Sequence, residues 1–139
     1  MSVLDLARRF FTAIEKGDLE TIKGIYHPDV SIWHNFDPLE QRARGQSREE
    51  SLAVLEILPE ILEGINYDVS SLEETSTGFV QQHLLQGTLL NGEKLNLPAC
   101  IICRVENGRI TRLDEYMDTN TAAQLLQSAL SRLQEGMDC

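Results

Sequence analysis

Two titratable side chains of this sequence fall where apolar surroundings would make them chemically active. Glu115 alternates with Leu113 and Met117 along one strand-like segment, and His83 alternates with Phe79, Gln81 and Leu85 along another. Every second residue of a strand faces the same way, so both groups are predicted to point into the protein. Burial raises a carboxyl pKa and a neighbouring imidazolium lowers it again. A pair balanced in this way can exchange protons near neutral pH. A buried Glu–His hydrogen bond that only satisfies two polar groups accounts for the same residues, and the sequence leaves both readings open.

The other faces follow from the same alternation. Arg112, Asp114 and Tyr116 share one side of the last strand, and Arg104 marks the outer side of the strand before it. That turns Ile101 and Cys103 inward, and with them Phe79 and Gln81. On the first strand Ser31, Trp33 and Asn35 oppose Val30, Ile32 and His34. The first of these sets is taken as the pocket side, and His34 as a supporting or surface residue. Trp33 is then core or pocket wall, where its flat ring would suit a planar ligand and its N–H would need a partner. Asn35 either orients a ligand oxygen at the mouth or makes a turn. Asp37, just before Pro38, reads as a solvated loop residue. Cys100 and Cys103 have metal-like spacing, but three residues along a strand places them on opposite faces. Cys139 is a tail residue, and His27, His34 and His83 come from separate elements, so no metal is expected.

The elements that hold these residues can be traced in order. Val3, Leu6, Ala7, Phe10 and Ile14 recur at helical spacing up to Gly17, and Asp18 caps a second helix bearing Leu19, Ile22, Ile25 and Tyr26. His27-Pro28 stops it, and a short strand runs from Val30 to about Asn35. Residues 36–46 read as a loop. Ser47-Arg48-Glu49-Glu50 is a capping box opening a helix that buries Val54, Ile57, Leu58, Ile61 and Leu62, kinked or ended by Pro59. Four strands are then predicted, Asn66–Glu73, Gly78–Leu90, Lys94–Val105 and Arg109–Asp118. Asn91-Gly92 and Asn107-Gly108 mark hairpin turns whose two residues both need positive φ. A last helix from near Thr119–Thr121 carries Ala122, Leu125, Leu126, Ala129, Leu130 and Leu133. Helices followed by a meander predict one α+β domain over 1–139. Its antiparallel sheet is curved into a cone around a pocket, packed with three helices from the N-terminal half, plus the C-terminal one.

Bulk properties narrow the partners. The net charge is −10 and the twelve basic residues are scattered among twenty-two acids, the opposite of a phosphate-binding surface. No apolar run reaches bilayer length. Neither nucleic acid nor membrane is expected as a partner. The odd count of three cysteines, with no basic, apolar leader at the N-terminus, predicts a cytoplasmic protein.

Several segments resemble a known superfamily. Phe10-Phe11-Thr12-Ala13-Ile14-Glu15-Lys16-Gly17-Asp18-Leu19 is similar to the first-helix signature of the nuclear transport factor 2-like superfamily, which includes ketosteroid isomerases, SnoaL-like polyketide cyclases and limonene epoxide hydrolase. Tyr26-His27-Pro28-Asp29-Val30 resembles the approach to its first strand, and Asn107-Gly108-Arg109-Ile110-Thr111 with Glu115-Tyr116-Met117-Asp118 its closing hairpin and exit. Ile32-Trp33-His34-Asn35-Phe36-Asp37 looks most like the SnoaL-like group. By this resemblance Asn35, Trp33 and Glu115 match the water-positioning Asn, the Tyr position and one Asp of the epoxide hydrolase, whose Arg and second Asp have no match beside Gln81 and His83. The isomerase's Tyr falls on Phe10, and its base falls near His34 or Asn35, where no carboxylate stands. A SnoaL-like cyclase needs only an acid–base residue in the pocket, which His83 or Glu115 could supply.

Two functions are carried forward. One is a cofactor-free isomerase, cyclase or hydrolase acting on a small, largely apolar carbonyl compound. Its proton would move through His83 or Glu115, its ligand would be oriented by Trp33, Asn35 and Gln81, and its wall would be Phe10, Ile101, Cys103 and Met117. The other is a binding module that holds a hydrophobic metabolite without turnover. Val80, Leu84, Cys100, Ile102 and Tyr116 form an apolar strip on the outer sheet face, which predicts a homodimer packed there.

Overall fold

Ser2 accepts a hydrogen bond from the Asp5 amide and opens α1 (Val3–Lys16), which Gly17 closes in the left-handed conformation. Asp18 accepts from the Thr21 amide and opens α2 (Leu19–Ile25). The capping box stands as read: Ser47 Oγ accepts from the Glu50 amide at 3.1 Å and Glu50 from the Ser47 amide at 3.0 Å, opening α3 (Arg48–Ile61). Pro59 lies within its last turn, and Leu62 leads from the helix into the next strand without a loop. These features belong to a computed structural model describing residues 1–137; Cys139 lies outside the described residues, as does the Leu133 side chain.

The five strands are β1 (Tyr26–His34), between α2 and α3, then β2 (Leu62–Glu74), β3 (Gly78–Leu89), β4 (Lys94–Glu106) and β5 (Arg109–Met117), with α4 (Thr119–Met137) last. The fold is α+β, as expected. The sheet order is β1-β5-β4-β3-β2 and the sheet is not closed. One pairing departs from the antiparallel expectation. β1 runs parallel to β5, because it arrives from α2 on the far side of the meander, and the sheet is mixed. β1 also starts four residues earlier than expected, at Tyr26, and β2 starts at Leu62, with a register shift around Gly64. Of the two Asn-Gly turns, only Asn107 (φ 52) and Gly108 (φ 75) are both left-handed. At Asn91-Gly92 the loop spans residues 90–93, and its greater length leaves only Gly92 with positive φ.

The main core lies between the inner sheet face and α1 and α2. Phe10, Phe11, Ile22, Ile25, Tyr26 and Ile32 pack there against Phe79, Ile101, Cys103, Ile110 and Leu113. A smaller cluster of Leu62, Leu85, Leu89, Leu95, Leu97 and Ala122 lies under α4, with Met117 and Leu125 packed against it. α3 buries less than its sequence suggests. Val54 is 51% exposed, and only Ser51 and Ile61 of the helix are buried. No helix among the described residues is long and apolar enough to cross a membrane.

At the start of β3 the chain passes so close to β4 that a Cβ on Gly78 would land on the carbonyl oxygen of Cys103. Gly78→Ala should therefore cost on the order of 2 kcal/mol by forcing the two strands apart. Urea denaturation reads this directly; a change under about 0.5 kcal/mol would show that the strands separate freely.

Candidate functional site

Strand register arranges the inward side chains in rows. Ile32, Leu113, Cys103 and Phe79 lie opposite one another across β1, β5, β4 and β3, a wholly apolar row at the base. The next row is His34, Glu115, Ile101 and Gln81. The third holds Met117, Ala99 and His83. Glu115 is thus a direct neighbour of His34. His83 lies two strands and one row away, roughly 10 Å across the sheet by strand spacing.

This corrects the expected pairing. His34 Nε2 is 3.4 Å from Glu115 Oε1, and His34 Nδ1 is 3.3 Å from Asp37 Oδ2. Asp37 Oδ2 also accepts from the His34 amide at 3.0 Å, and Phe36 stacks on the imidazole at 5.0 Å with the rings 13° from parallel. Asp37, read as a solvated loop residue, is instead the anchor of that ring. Both ring nitrogens thus face a carboxylate, Nδ1 toward Asp37 and Nε2 toward Glu115. The Glu115 side chain keeps 17% exposure. Its burial nonetheless raises the carboxyl pKa above the ordinary value, with His34 partly opposing.

The row opens on a cavity of about 70 Å³ between the sheet, α1 and α3. Phe10, Ile14, Ile32, Leu55, Ile101 and Leu113 make its apolar wall, and His34, Glu115, Tyr26, Tyr67, Ser51 and Gln46 its polar part. Tyr26 Oη and Ser51 Oγ share a hydrogen bond of 3.0 Å. Burial raises the pKa of both tyrosines, so their hydroxyls stay protonated. Neither tyrosine stands out in the sequence, because Tyr26 reads as the last turn of α2 and Tyr67 falls within the strand expected over Asn66–Glu73 with nothing to mark its facing.

Of the sequence-derived site residues, Glu115, Phe10 and Ile101 line this cavity. Gln81 and His83 face inward but lie outside its wall. Gln81 Nε2 donates to His83 Nδ1 at 3.0 Å, and the imidazole packs edge-on to Tyr67 and Phe11. Cys103 belongs to the apolar base row, and burial pushes its thiol pKa well up. Met117 packs in the cluster under α4.

Trp33 and Asn35 are corrected too. Val30 and Ile32 face the core, which turns Trp33 to the outer side. There the 36–46 segment covers it: Arg42 stacks over the indole at 5.3 Å and Tyr116 packs edge-on at 5.7 Å. A second covering layer lets a large apolar ring sit outside the sheet while only 5% exposed. Asn35 serves the backbone, donating from Nδ2 to the Met117 carbonyl at 3.0 Å and accepting at Oδ1 from the Met117 amide at 3.2 Å. Its backbone amide extends the β1–β5 ladder by one step, and with His83 and Met117 it lines a second groove of about 540 Å³. Cys100 and Cys103 lie on opposite faces, and no three metal-ligating side chains cluster among the described residues.

Burial among aromatic rings holds His83 neutral, its pKa lowered from 6.5 to about 4. In the unfolded chain it protonates near 6.5. Stability from this residue is therefore complete above about pH 6.5 and lost as pH falls toward 4. His83→Phe should remove roughly 1–2 kcal/mol of the stability difference between pH 7.5 and 5.0 in urea melts. An NMR pKa near 6.5 for His83 would sink this assignment.

A SnoaL-like domain model matches residues 7–113. Among solved structures, IdmH from Streptomyces antibioticus, a candidate polyketide cyclase, has a TM-score of 0.75 at 22% identity, covering 90% of this chain and 99% of its own. An LEH-like epoxide hydrolase from M. tuberculosis has a TM-score of 0.71 at 13% identity, covering 96% of each chain. A candidate isomerase from Bacillus subtilis has a TM-score of 0.75 at 10% identity, covering 92% of this chain and 97% of its own. At these identities the likeness is one of fold. No curated protein matches the sequence.

Proposed function

The chain belongs to the SnoaL-like domain family, and from that premise we propose that it is a cofactor-free acid–base enzyme acting on a small, largely apolar carbonyl compound. The observation that carries this reading is the Glu115 carboxyl facing the cavity 3.4 Å from a His34 ring held from behind by Asp37. Glu115 takes the proton from the carbon beside the ligand carbonyl, and the electron pair moves onto the carbonyl oxygen. The Tyr67 hydroxyl, kept protonated by burial, donates to that developing oxyanion. His34 Nε2 accepts or returns the proton as Glu115 passes it on. Return to a different carbon is an isomerisation; attack of the enolate on a second carbonyl is a cyclisation.

Glu115 is the base only when ionised, so activity rises with pH through its raised pKa. The test is hydrogen–deuterium exchange beside the carbonyl of butanone in D₂O, followed by NMR. The wild-type chain should accelerate exchange, Glu115→Gln should lose about 10²–10⁴-fold, and Asp37→Asn should lose less while shifting the pH profile. Equal rates for wild type and Glu115→Gln would leave the cavity as a binding module.

The outer sheet face supports a second proposal, a two-fold dimer. Ile102 is 42% and Tyr116 38% exposed there, beside a groove of about 540 Å³ lined in part by Gln82, Leu84, Pro98 and Cys100. Sedimentation at micromolar concentration should give twice the chain mass, and Ile102→Arg should halve it. A monomeric wild-type chain refutes this.

A further inference from the structure

Three buried side-chain polar atoms lack a hydrogen-bond partner among the described residues: Trp33 Nε1, His83 Nε2 and Gln46 Oε1. Only Gln46 belongs to a residue that lines the cavity. An acceptor buried without a partner costs about 1–3 kcal/mol, so an unfilled one beside a cavity is a place where a ligand donor gains that energy.

Backbone contacts fix the Gln46 main chain at the cavity wall. Ile32 N–H donates to the Gln46 carbonyl at 3.0 Å, and Gln46 N–H donates to the Ile32 carbonyl at 2.6 Å. The next residue, Ser47, is fixed by the capping box of α3. The residue before, Gly45, leaves no room for a side chain, since a Cβ there would meet the Ile32 carbonyl at 2.8 Å. The other polar groups of the wall have stated tasks. His34 lies between Glu115 and Asp37, and Tyr26 and Ser51 bond each other. Gln46 is the acceptor with no task.

We propose that Gln46 is the specificity-determining residue of the cavity, its side-chain carbonyl accepting from a hydroxyl of the ligand, so that the preferred ligand is a small hydroxy-carbonyl compound. This rests on the acid–base reading for the carbonyl and adds the hydroxyl. The cavity volume of about 70 Å³ is about half of the roughly 150 Å³ in which an apolar cavity takes up benzene, so it admits only the smallest ligands of this class. Hydroxyacetone and butanone are small probes of equal heavy-atom count that differ only in a hydroxyl replaced by a methyl.

The experiment titrates each compound into the wild-type chain, Gln46→Met and Gln46→Glu, following cavity resonances by NMR. Gln46→Met removes the acceptor at similar length, and Gln46→Glu keeps one. Wild type and Gln46→Glu should bind hydroxyacetone about fivefold or more tighter than butanone, and Gln46→Met should show no preference. Equal binding of both compounds by the wild type, a preference that survives in Gln46→Met, or no binding of either compound overturns the assignment. Deuterium exchange, measured in the same samples, separates the two readings. A preference without exchange keeps Gln46 and removes the acid–base step. Exchange without a preference removes Gln46 alone.

Discussion

The register of the parallel β1–β5 pair determines this site. It places His34 opposite Glu115, Trp33 opposite Asp114 and Ile32 opposite Leu113. Because side chains alternate with a period of two, a slip of one residue would move His34 to the outside and bring Trp33 into the cavity. The pair has no hairpin to fix it, since parallel neighbours cannot be joined by a short turn. Two side-chain devices set the register instead. The Asn35 amide bonds both backbone groups of Met117 at the end of the strand, and Arg112 reaches from β5 to Ser31 at 2.9 Å and to the Arg42 carbonyl at 2.8 Å. A polar clamp at each end of the paired segment does what a turn does elsewhere in the sheet.

The same fact explains how much the sequence disclosed. The helix caps at Ser2, Asp18 and Ser47, the turn at Asn107-Gly108 and the facing of β3, β4 and β5 follow from local chemistry and alternation, and all are legible in one chain. Glu115 is found for the same reason. Its partner is not, because the neighbour of β5 on its free side is set by the return of a chain segment about eighty residues earlier. His83 is the histidine closest to Glu115 along the sequence and alternation turns it inward, but β4 intervenes between β3 and β5.

The facing of Trp33 is illegible in the sequence for a second, physical reason. The rule that the largest apolar residue marks the buried face assumes one buried face. Here the 36–46 segment buries the outer one locally, with Arg42 laid over the indole. Val30 and Ile32 carried the correct signal, since two β-branched residues at alternate positions point to the core more reliably than one aromatic. Asp37 was hidden because its value lies in a turn that brings it back onto His34. Tyr67 was hidden because α1 and α3, rather than the sheet, shape the space in front of it.

One contact has a bearing on solubility as well as on the site. An open sheet has two outer strands whose free backbone groups can recruit another chain. On β1, both groups of Ile32 are taken by Gln46, so the segment that brings the cavity its acceptor also blocks that edge. On β2, the Glu15 carboxylate of α1 accepts from the Tyr67 amide at 2.8 Å, and the register shift near Gly64 breaks the run of the strand. Each edge is closed at the level of the cavity by a residue from another element. Loosening either contact would thus do more than deform a pocket: it would expose a template for fibrillar stacking in an otherwise strongly acidic, self-repelling chain.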